Sequence, residues 1–329
     1  MARVTPSGGA PVSGPVSGPL SGRCSTLVKA GDVTLQTSVH RRPGLSADAP
    51  TVVAVHGYPD TSVVWEPVVA DLGVDHAVVT YDVRGAGGSS APSSVQGYST
   101  ERLVDDLVAV LDAVVPDRVP VHLLGHDWGS VQLWEAVCAE GSDPRLTGRM
   151  ASYTSISGPC LAHFAAFMRE APADQVRRQR RRSWYVAAFH LPVLPELAWR
   201  HLTEPARRSL ARRERMVDRD GPRGHWAETL GDDGARGLGL YRANVRRHLR
   251  SPGSGRTRVP VQLVVPRHDP FLTAAALTHA ARMVPAPVPR LSVAEVQAGH
   301  WVHRTRPDLV ADLVRRFAAS HPEGPHDPT

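Results

Sequence analysis

Lysine is almost missing from this chain: Lys29 is the only one among 38 basic residues. Arginine without lysine reflects a GC-rich coding bias more readily than a ligand. The net charge of +6 therefore does not by itself predict a nucleic-acid partner, and no nucleic-acid-binding motif accompanies it. The basic runs Arg177 to Arg182 and Arg207 to Arg213 could meet an anionic surface, but solvated helix faces are the plainer expectation. Cysteine is scarce as well. Cys24, Cys138 and Cys160 are too few and too scattered for a disulfide framework, and they lack metal-ligand spacing. No run of about 18 apolar residues occurs, so no transmembrane helix is predicted. The first residues, MARVTPSGGAPVSGPVSGPLSGR, lack the apolar core of a secretory signal, which makes a cytoplasmic location the default.

What is present is 329 residues of ordinary globular composition, 42% hydrophobic and 21% charged. That length accommodates one catalytic domain of about 250 residues and an insertion. A tail repeating Pro, Val, Ser and Gly opens the chain, with ordered structure expected from near Ser25. Ser25 to Lys29 and Val33 to Val39 alternate apolar and polar residues around Ala30-Gly31-Asp32, the pattern of a β-hairpin. Six short apolar runs follow: Thr51 to Val55, Ala77 to Tyr81, Val121 to Leu124, Met150 to Ile156, Val261 to Val265 and Leu291 to Val296. Runs of this kind suit strands covered on both faces of a parallel sheet. Between them, Glu101 to Val115 carries a helical stripe behind a plausible N-cap, Thr100, and Pro307 to Ala318 reads as a closing helix. Strands alternating with helices predict the α/β class. In such sheets ligands bind beyond the carboxyl ends of the strands, which is where the polar loops lie.

The predicted organisation is a Pro/Gly/Ser-rich tail over 1–23, a core over 24–159 and 251–320, a helical cap over 160–250, and a flexible tail over 321–329. The cap segment is rich in Arg, Trp and helix formers and has no strong strand run.

The strongest chemical signal is Gly125-His126-Asp127-Trp128-Gly129 at the end of a strand run. It fits the Gly-x-nucleophile-x-Gly elbow, with a carboxylate where serine is usual. A carboxylate needs no base to attack carbon, and the product is an alkyl-enzyme ester. The alternative is an N-capping aspartate between chance glycines. Ser130 lies outside the elbow position, which argues against serine chemistry. The loop His56-Gly57-Tyr58-Pro59 is expected to lend the Tyr58 N–H to an oxyanion hole, with the Trp128 N–H as the second donor; as a simple Gly/Pro turn it would mean nothing. Asp269 and His300 follow later strands in the order nucleophile, acid, histidine. His300 would deprotonate water and Asp269 would orient it. His126, His268 and His303 are competing histidines, but only His300 sits in a Gly-His-Trp turn. Tyr185 and Tyr241 in the insertion could protonate a leaving alkoxide, or could equally be packed aromatics.

These residues resemble the epoxide hydrolases of the α/β-hydrolase superfamily over about Ser25 to Ala318. His56-Gly57-Tyr58-Pro59 looks like the family's His-Gly-x-Pro loop. Asp82-Val83-Arg84-Gly85-Ala86-Gly87-Gly88-Ser89 looks like its Asp-x-Arg-Gly-x-Gly-x-Ser loop, and residues 125–129 match its nucleophile motif. The resemblance implies a mostly parallel eight-stranded sheet with helices on both faces and a helical cap after the sixth strand. It also implies that Tyr185 and Tyr241 are the two ring-opening tyrosines, and that no cofactor or metal is needed. His56, Pro59, Trp184, Phe189 and Trp301 would contact substrate, and Phe164, Phe167 and Trp199 would add to an apolar cap wall. That aromatic and aliphatic cap suggests an apolar, fairly bulky epoxide as substrate; no nucleic acid and no integral-membrane character is expected, and a homodimer is compatible.

The resemblance is most marked to bacterial hydrolase domains fused to a short-chain dehydrogenase, through Ser183-Trp184-Tyr185, Asp269-Pro270-Phe271 and Ala298-Gly299-His300-Trp301-Val302. Two departures stand out. No dehydrogenase segment is expected within the 329 residues, and His268 beside Asp269 could perturb the acid. The nearest rival is a haloalkane dehalogenase, but its halide-binding Asn position is Tyr58 here. A hydrolase-fold binding protein without activity is a second rival, against which the full set of nucleophile, acid and histidine counts.

Overall fold

β-Branched side chains crowd a helix but pack well on a pleated sheet, and the valine-rich runs form its strands. The computed structural model describes residues 22–115, 119–214, 226–283 and 286–322; the expected tails fall almost wholly outside these. The first hairpin pairs β1 (Arg23–Ala30) with β2 (Val33–His40) across the two-residue turn Gly31-Asp32, where Gly31 takes a positive φ of 60°. Then come β3 (Thr51–Val55), α1 (Glu66–Leu72), β4 (Ala77–Tyr81), α2 (Thr100–Val114), β5 (Val121–His126), α3 (Trp128–Ala139) and β6 (Met150–Ile156).

After β6 the chain leaves the sheet for α4 (Leu161–Glu170), α5 (Ala173–Arg182), α6 (Trp184–Ala188), α7 (Leu194–Arg213) and α8 (Leu230–Arg250). It returns as β7 (Val261–Pro266), the short α9 (Ala274–Leu277), β8 (Leu291–Val296), the short α10 (Val302–Thr305) and α11 (Pro307–Ala319). The eight strands lie in the order β1-β2-β4-β3-β5-β6-β7-β8. Only the β1–β2 and β2–β4 pairs are antiparallel.

Pleating sends successive side chains to opposite faces, and both faces are covered. Val52 and Ala54 of β3 join Trp65, Val68, Val310 and Val314 beneath α1 and α11. Val53 and Val55 face α2 and α3, among Leu107, Leu111, Leu133 and Trp134. The continuous apolar runs have this double burial as their cause.

The insertion is tied to the core by specific contacts. Asn244 of α8 accepts the Thr100 N–H (2.9 Å) and donates to the Tyr98 carbonyl (2.8 Å). That bond supplies from the cap a partner for the first turn of α2, which starts at Thr100 with Ser99 as N-cap, one residue earlier than the sequence suggests. Gly237 on α8 makes room for the Tyr58 ring, since a β-carbon there would sit 2.6 Å from it. Among the described residues no helix is long and apolar enough to cross a membrane.

The loop after β4 is held by charge. Arg84 reaches Asp106 of α2 through two bonds, Nε to Oδ2 (2.7 Å) and Nη2 to Oδ1 (2.6 Å), with both side chains buried. Truncating one partner leaves the other charge buried and uncompensated. Asp106→Ala is expected to lower the unfolding free energy by about 3–5 kcal/mol in urea titration; a loss below the resolution of that titration would show that the pair does not hold the loop.

Candidate active site

Asp127 stands at the corner between β5 and α3 with φ 50° and ψ −121°, a conformation a non-glycine residue adopts only when its surroundings force it. The corner closes because Gly129 lies against β3: a β-carbon there would come within 2.1 Å of the Val55 carbonyl oxygen. The Tyr58 N–H donates to Asp127 Oδ1 (2.9 Å), and the Trp128 amide also bonds to this carboxylate. Burial pushes the Asp127 carboxyl above the usual range, while His300 and these two amides oppose the rise.

His300 lies four residues beyond β8. Its Nε2 is 3.6 Å from Asp127 Oδ2 and its Nδ1 is 2.9 Å from Asp269 Oδ2. Asp269 Oδ1 accepts the amides of Phe271 (2.7 Å) and Leu272 (3.0 Å). Burial would raise the Asp269 carboxyl, but the His300 charge and hydrogen bond and these amides hold it below the ordinary value. Burial would lower His300, yet the carboxylates of Asp269, Asp127 and Glu214 outweigh it and push the imidazole up to about 9. Asp127 and His300 thus face each other as a buried carboxyl–imidazole pair.

Two cavities of about 450 and 500 Å³ meet this centre from different sides. Both are lined by Asp127, Trp184, Tyr185 and Tyr241. The Tyr185 and Tyr241 rings lie edge to face, 6.1 Å between centroids, and Tyr241 packs 5.0 Å from Trp128. Burial first, and then the charges of Asp127 and Asp269, raise the Tyr185 phenol above its usual range against a hydrogen bond with Tyr241 that lowers it; burial, then Tyr185 and then Asp127 push Tyr241 well above its own. Both are protonated acids at neutral pH. Pro59, Phe189, Trp199 and Trp301 line one cavity and Phe164 lines the other.

Other expected residues lie elsewhere. His56 faces neither of these cavities: it accepts the Val83 N–H at Nε2 (2.9 Å), and its Nδ1 lies 2.9 Å from the Gly57 carbonyl oxygen, so it joins two loops. Phe167 is fully buried against Phe164 and His279 and lines neither cavity. Trp128 and Tyr58 contribute amides, but the Tyr58 hydroxyl is committed to the Gly234 carbonyl of α8 (2.7 Å). His268 is exposed. Ser130 is occupied by the Ile156 backbone (3.1 Å). The first basic run is not wholly a solvated face, since Arg182 donates to the carbonyls of Asp269 (2.6 Å) and Leu272 (2.8 Å).

Two acidic residues were invisible to motif reading. Glu214 ends α7, far from any motif, yet its carboxylate reaches the Trp301 N–H (3.4 Å) in the turn that carries His300. Gly299 allows this approach, for a β-carbon there would sit 2.2 Å from Glu214 Oε2. Asp60 follows the His56–Pro59 loop, and its Oδ2 accepts the Trp301 indole N–H (2.8 Å). Its carboxyl is pushed up to about 7 by burial. His126 Nε2 is 3.1 Å from the His300 carbonyl oxygen. Among the described residues, Asp60, His126 and His303 form the one group whose ligand atoms, all within 4.8 Å of one another, could hold a metal ion.

A family model for the alpha/beta hydrolase fold matches residues 50–307. A probable oxidoreductase of Mycobacterium tuberculosis, EphD, is 37% identical over 284 residues, covering 82% of this chain and 46% of its own length. The chain thus spans about half the length of that relative. Epoxide hydrolase A of Mycobacterium tuberculosis is 28% identical over 330 residues, covering 88% of this chain and 96% of its own. Among solved structures, an epoxide hydrolase of Bacillus megaterium bound to an inhibitor aligns with a TM-score of 0.71 at 19% identity, over 89% of this chain and 100% of that one. An epoxide hydrolase of Vigna radiata aligns with a TM-score of 0.72 at 19% identity, over 92% of this chain and 100% of that one. At such identities the structural likeness concerns the fold.

The Asp127–His300 pairing has a measurable consequence. Replacing Asp127 with Asn removes one of the charges that raise His300, so its ring should titrate below the value of about 9 expected for the unchanged protein. Glu214→Gln should move it the same way by less. Ring-proton NMR against pH measures both, and an unmoved midpoint in Asp127→Asn would contradict the assigned cause.

Proposed function

As the chain belongs to the α/β-hydrolase fold family, we propose that it opens an epoxide to a vicinal diol through an ester on Asp127. The observation that supports this most is the pair of phenols, Tyr185 and Tyr241, lining both cavities opposite a carboxylate nucleophile. A carboxylate at an elbow can attack carbon whether the leaving atom is halogen or oxygen. Only an oxygen leaving group needs a proton at once, and two protonated phenols beside the nucleophile can deliver it.

In the proposed reaction a carboxylate oxygen of Asp127 attacks an epoxide carbon as the carbon–oxygen bond breaks. The ring oxygen takes a proton from Tyr185 or Tyr241. Esterification erases the charge on Asp127, which is one of those raising His300, so the imidazole loses part of its hold on its proton, which passes through solvent to the phenolate, restoring the phenol and leaving a neutral imidazole to act as base. His300 then removes a proton from water, and the hydroxide adds to the ester carbonyl. The resulting oxyanion is stabilised by the Tyr58 and Trp128 amides. Collapse releases the diol with one oxygen from the water left in the Asp127 carboxylate, and the proton taken from water stays on His300, which returns the pair to its starting state. Asp269 orients the ring and balances its charge.

A dehalogenase reading finds less support. The position that would bind halide is Tyr58, whose hydroxyl is bonded to the cap, and the Trp128 indole N–H bonds to Tyr241. The apolar walls, including Leu161, Phe164, Met168 and Leu249, favour a bulky apolar epoxide. A cytoplasmic location and a homodimer belong to this proposal as well.

Turnover of styrene oxide in heavy-oxygen water, followed by mass analysis of the Asp127 peptide, tests the ester: a label in that carboxylate is expected, and its absence after several turnovers rules the ester out. Tyr185→Phe and Tyr241→Phe, each leaving the other phenol in place, should lower kcat by about tenfold to a hundredfold, and the double variant by about a hundredfold to ten-thousandfold, the usual range for a positioned acid. A double variant that hydrolyses at the original rate would leave the phenols without a chemical role.

A further inference from the structure

The cap has an outer face that neither the sheet nor the cavities explain. Residues 160–250 contain 19 arginines against 10 aspartates and glutamates, so the positive charge of the chain is concentrated there. On the same segment the apolar residues Leu191, Pro192, Val193 and Leu194 are consecutive and all exposed. Val193 is 62% exposed and Leu194 64%. Their turn is strained: Val193 takes φ 62° and ψ −43°, and the Leu194 N–H closes back on the Pro192 carbonyl at 2.7 Å. A β-branched residue pays a steric penalty in that conformation. The strained turn displays the apolar tip to solvent, where isolated monomers rarely keep contiguous apolar surface. Leu197, one turn into α7, extends the tip, and Trp184, 69% exposed, stands at the mouth of both cavities.

The same insertion exposes arginines, of which Arg180 and Arg181 line the cavities together with Trp184. Arg177, Arg178, Arg180 and Arg181 on α5 are exposed, as are Arg200 and Arg208 on α7. Arg178 pairs with Asp174, whereas Arg177 and Arg181 have no acidic partner among the described residues. A nucleic acid would answer the charge and leave the apolar tip in water. A neutral apolar surface would do the reverse. A bilayer with anionic headgroups answers both at once, because arginine is drawn to the surface potential while short apolar side chains enter the headgroup–acyl boundary.

We propose that this face, the 191–194 tip with Trp184 and the α5 arginines, docks the protein on an anionic lipid surface. Docking there turns the cavity mouths toward the bilayer. If the proposed activity holds, an apolar epoxide could pass from lipid to Asp127 without crossing bulk water; the docking itself does not depend on that activity.

The test is co-sedimentation of the full chain with vesicles of phosphatidylcholine alone or of phosphatidylcholine mixed with phosphatidylglycerol, without epoxide. Binding to the mixed vesicles is expected at low salt, about tenfold weaker or more on phosphatidylcholine alone, and weakened by added salt. The Val193→Asp, Leu194→Asp double variant should lose about tenfold or more of that binding. Its hydrolysis of a water-soluble epoxide should be unchanged, because neither residue lines the cavities. Arg177→Glu, Arg178→Glu should weaken binding independently, and Trp184 emission should shift to the blue on the mixed vesicles. No sedimentation at low salt would overturn the proposal, as would equal binding by the Asp double variant. Concentration-dependent dimerisation abolished by that variant, without lipid binding, would assign the face to a second copy and overturn it too.

Discussion

A single backbone corner governs this molecule. Asp127 is held at φ 50°, where a non-glycine residue costs on the order of 1–3 kcal/mol, and the surrounding chain is arranged to impose it. Gly129 presses against the β3 carbonyls, and the Val131 N–H bonds to the Asp127 carbonyl (3.0 Å) to start α3. The Asp127 N–H in turn bonds to the Ile156 carbonyl of β6 (3.0 Å). Relaxing the corner into an ordinary helix start would swing the carboxylate away from the Tyr58 amide and from His300. The strain is therefore a property of the whole central sheet.

Electrostatics follow from that placement. A buried imidazole would ordinarily be neutral, but His300 is ringed by Asp127, Asp269 and Glu214 and holds its proton up to about pH 9. The carboxylates differ in their support. Asp269 lies 2.9 Å from the ring and lines neither cavity, whereas Asp127 stands 3.6 Å from it and lines both. One side of the imidazole is thus closed by the tighter contact and the other opens on the cavities. Glu214 adds a contribution from the end of α7, so the position of that helix is felt in the turn that carries His300.

The cap and the sheet divide the work differently. The sheet supplies fixed angles through double burial of its strands. The insertion supplies the phenols, apolar cavity walls and half of the basic residues, and it is anchored by contacts such as Tyr58 to Gly234 and Asn244 to the α2 start. Arg182 and Gln179 of α5 fasten the Asp269 loop from above, with Gln179 Oε1 accepting the Thr273 N–H (2.8 Å). A basic helix that looks like a solvated face in sequence therefore has one side in the machinery and the other in water.

The sequence by itself determined the strands and the order of the loops. Runs such as Thr51 to Val55 and Met150 to Ile156 appear with the same bounds in the sheet, because double burial demands unbroken apolar residues and leaves a local signature. The elbow was legible for the same reason: its glycines are a local steric requirement. The cap boundary at α2 shifted by a residue, since a side chain 144 positions away supplies the bond at Thr100. Glu214, Asp60 and the displacement of His56 and Phe167 from the cavities were decided only in three dimensions. Each depends on which distant backbone group a side chain meets, and the direction a side chain points is fixed by packing between elements, which no local spacing encodes.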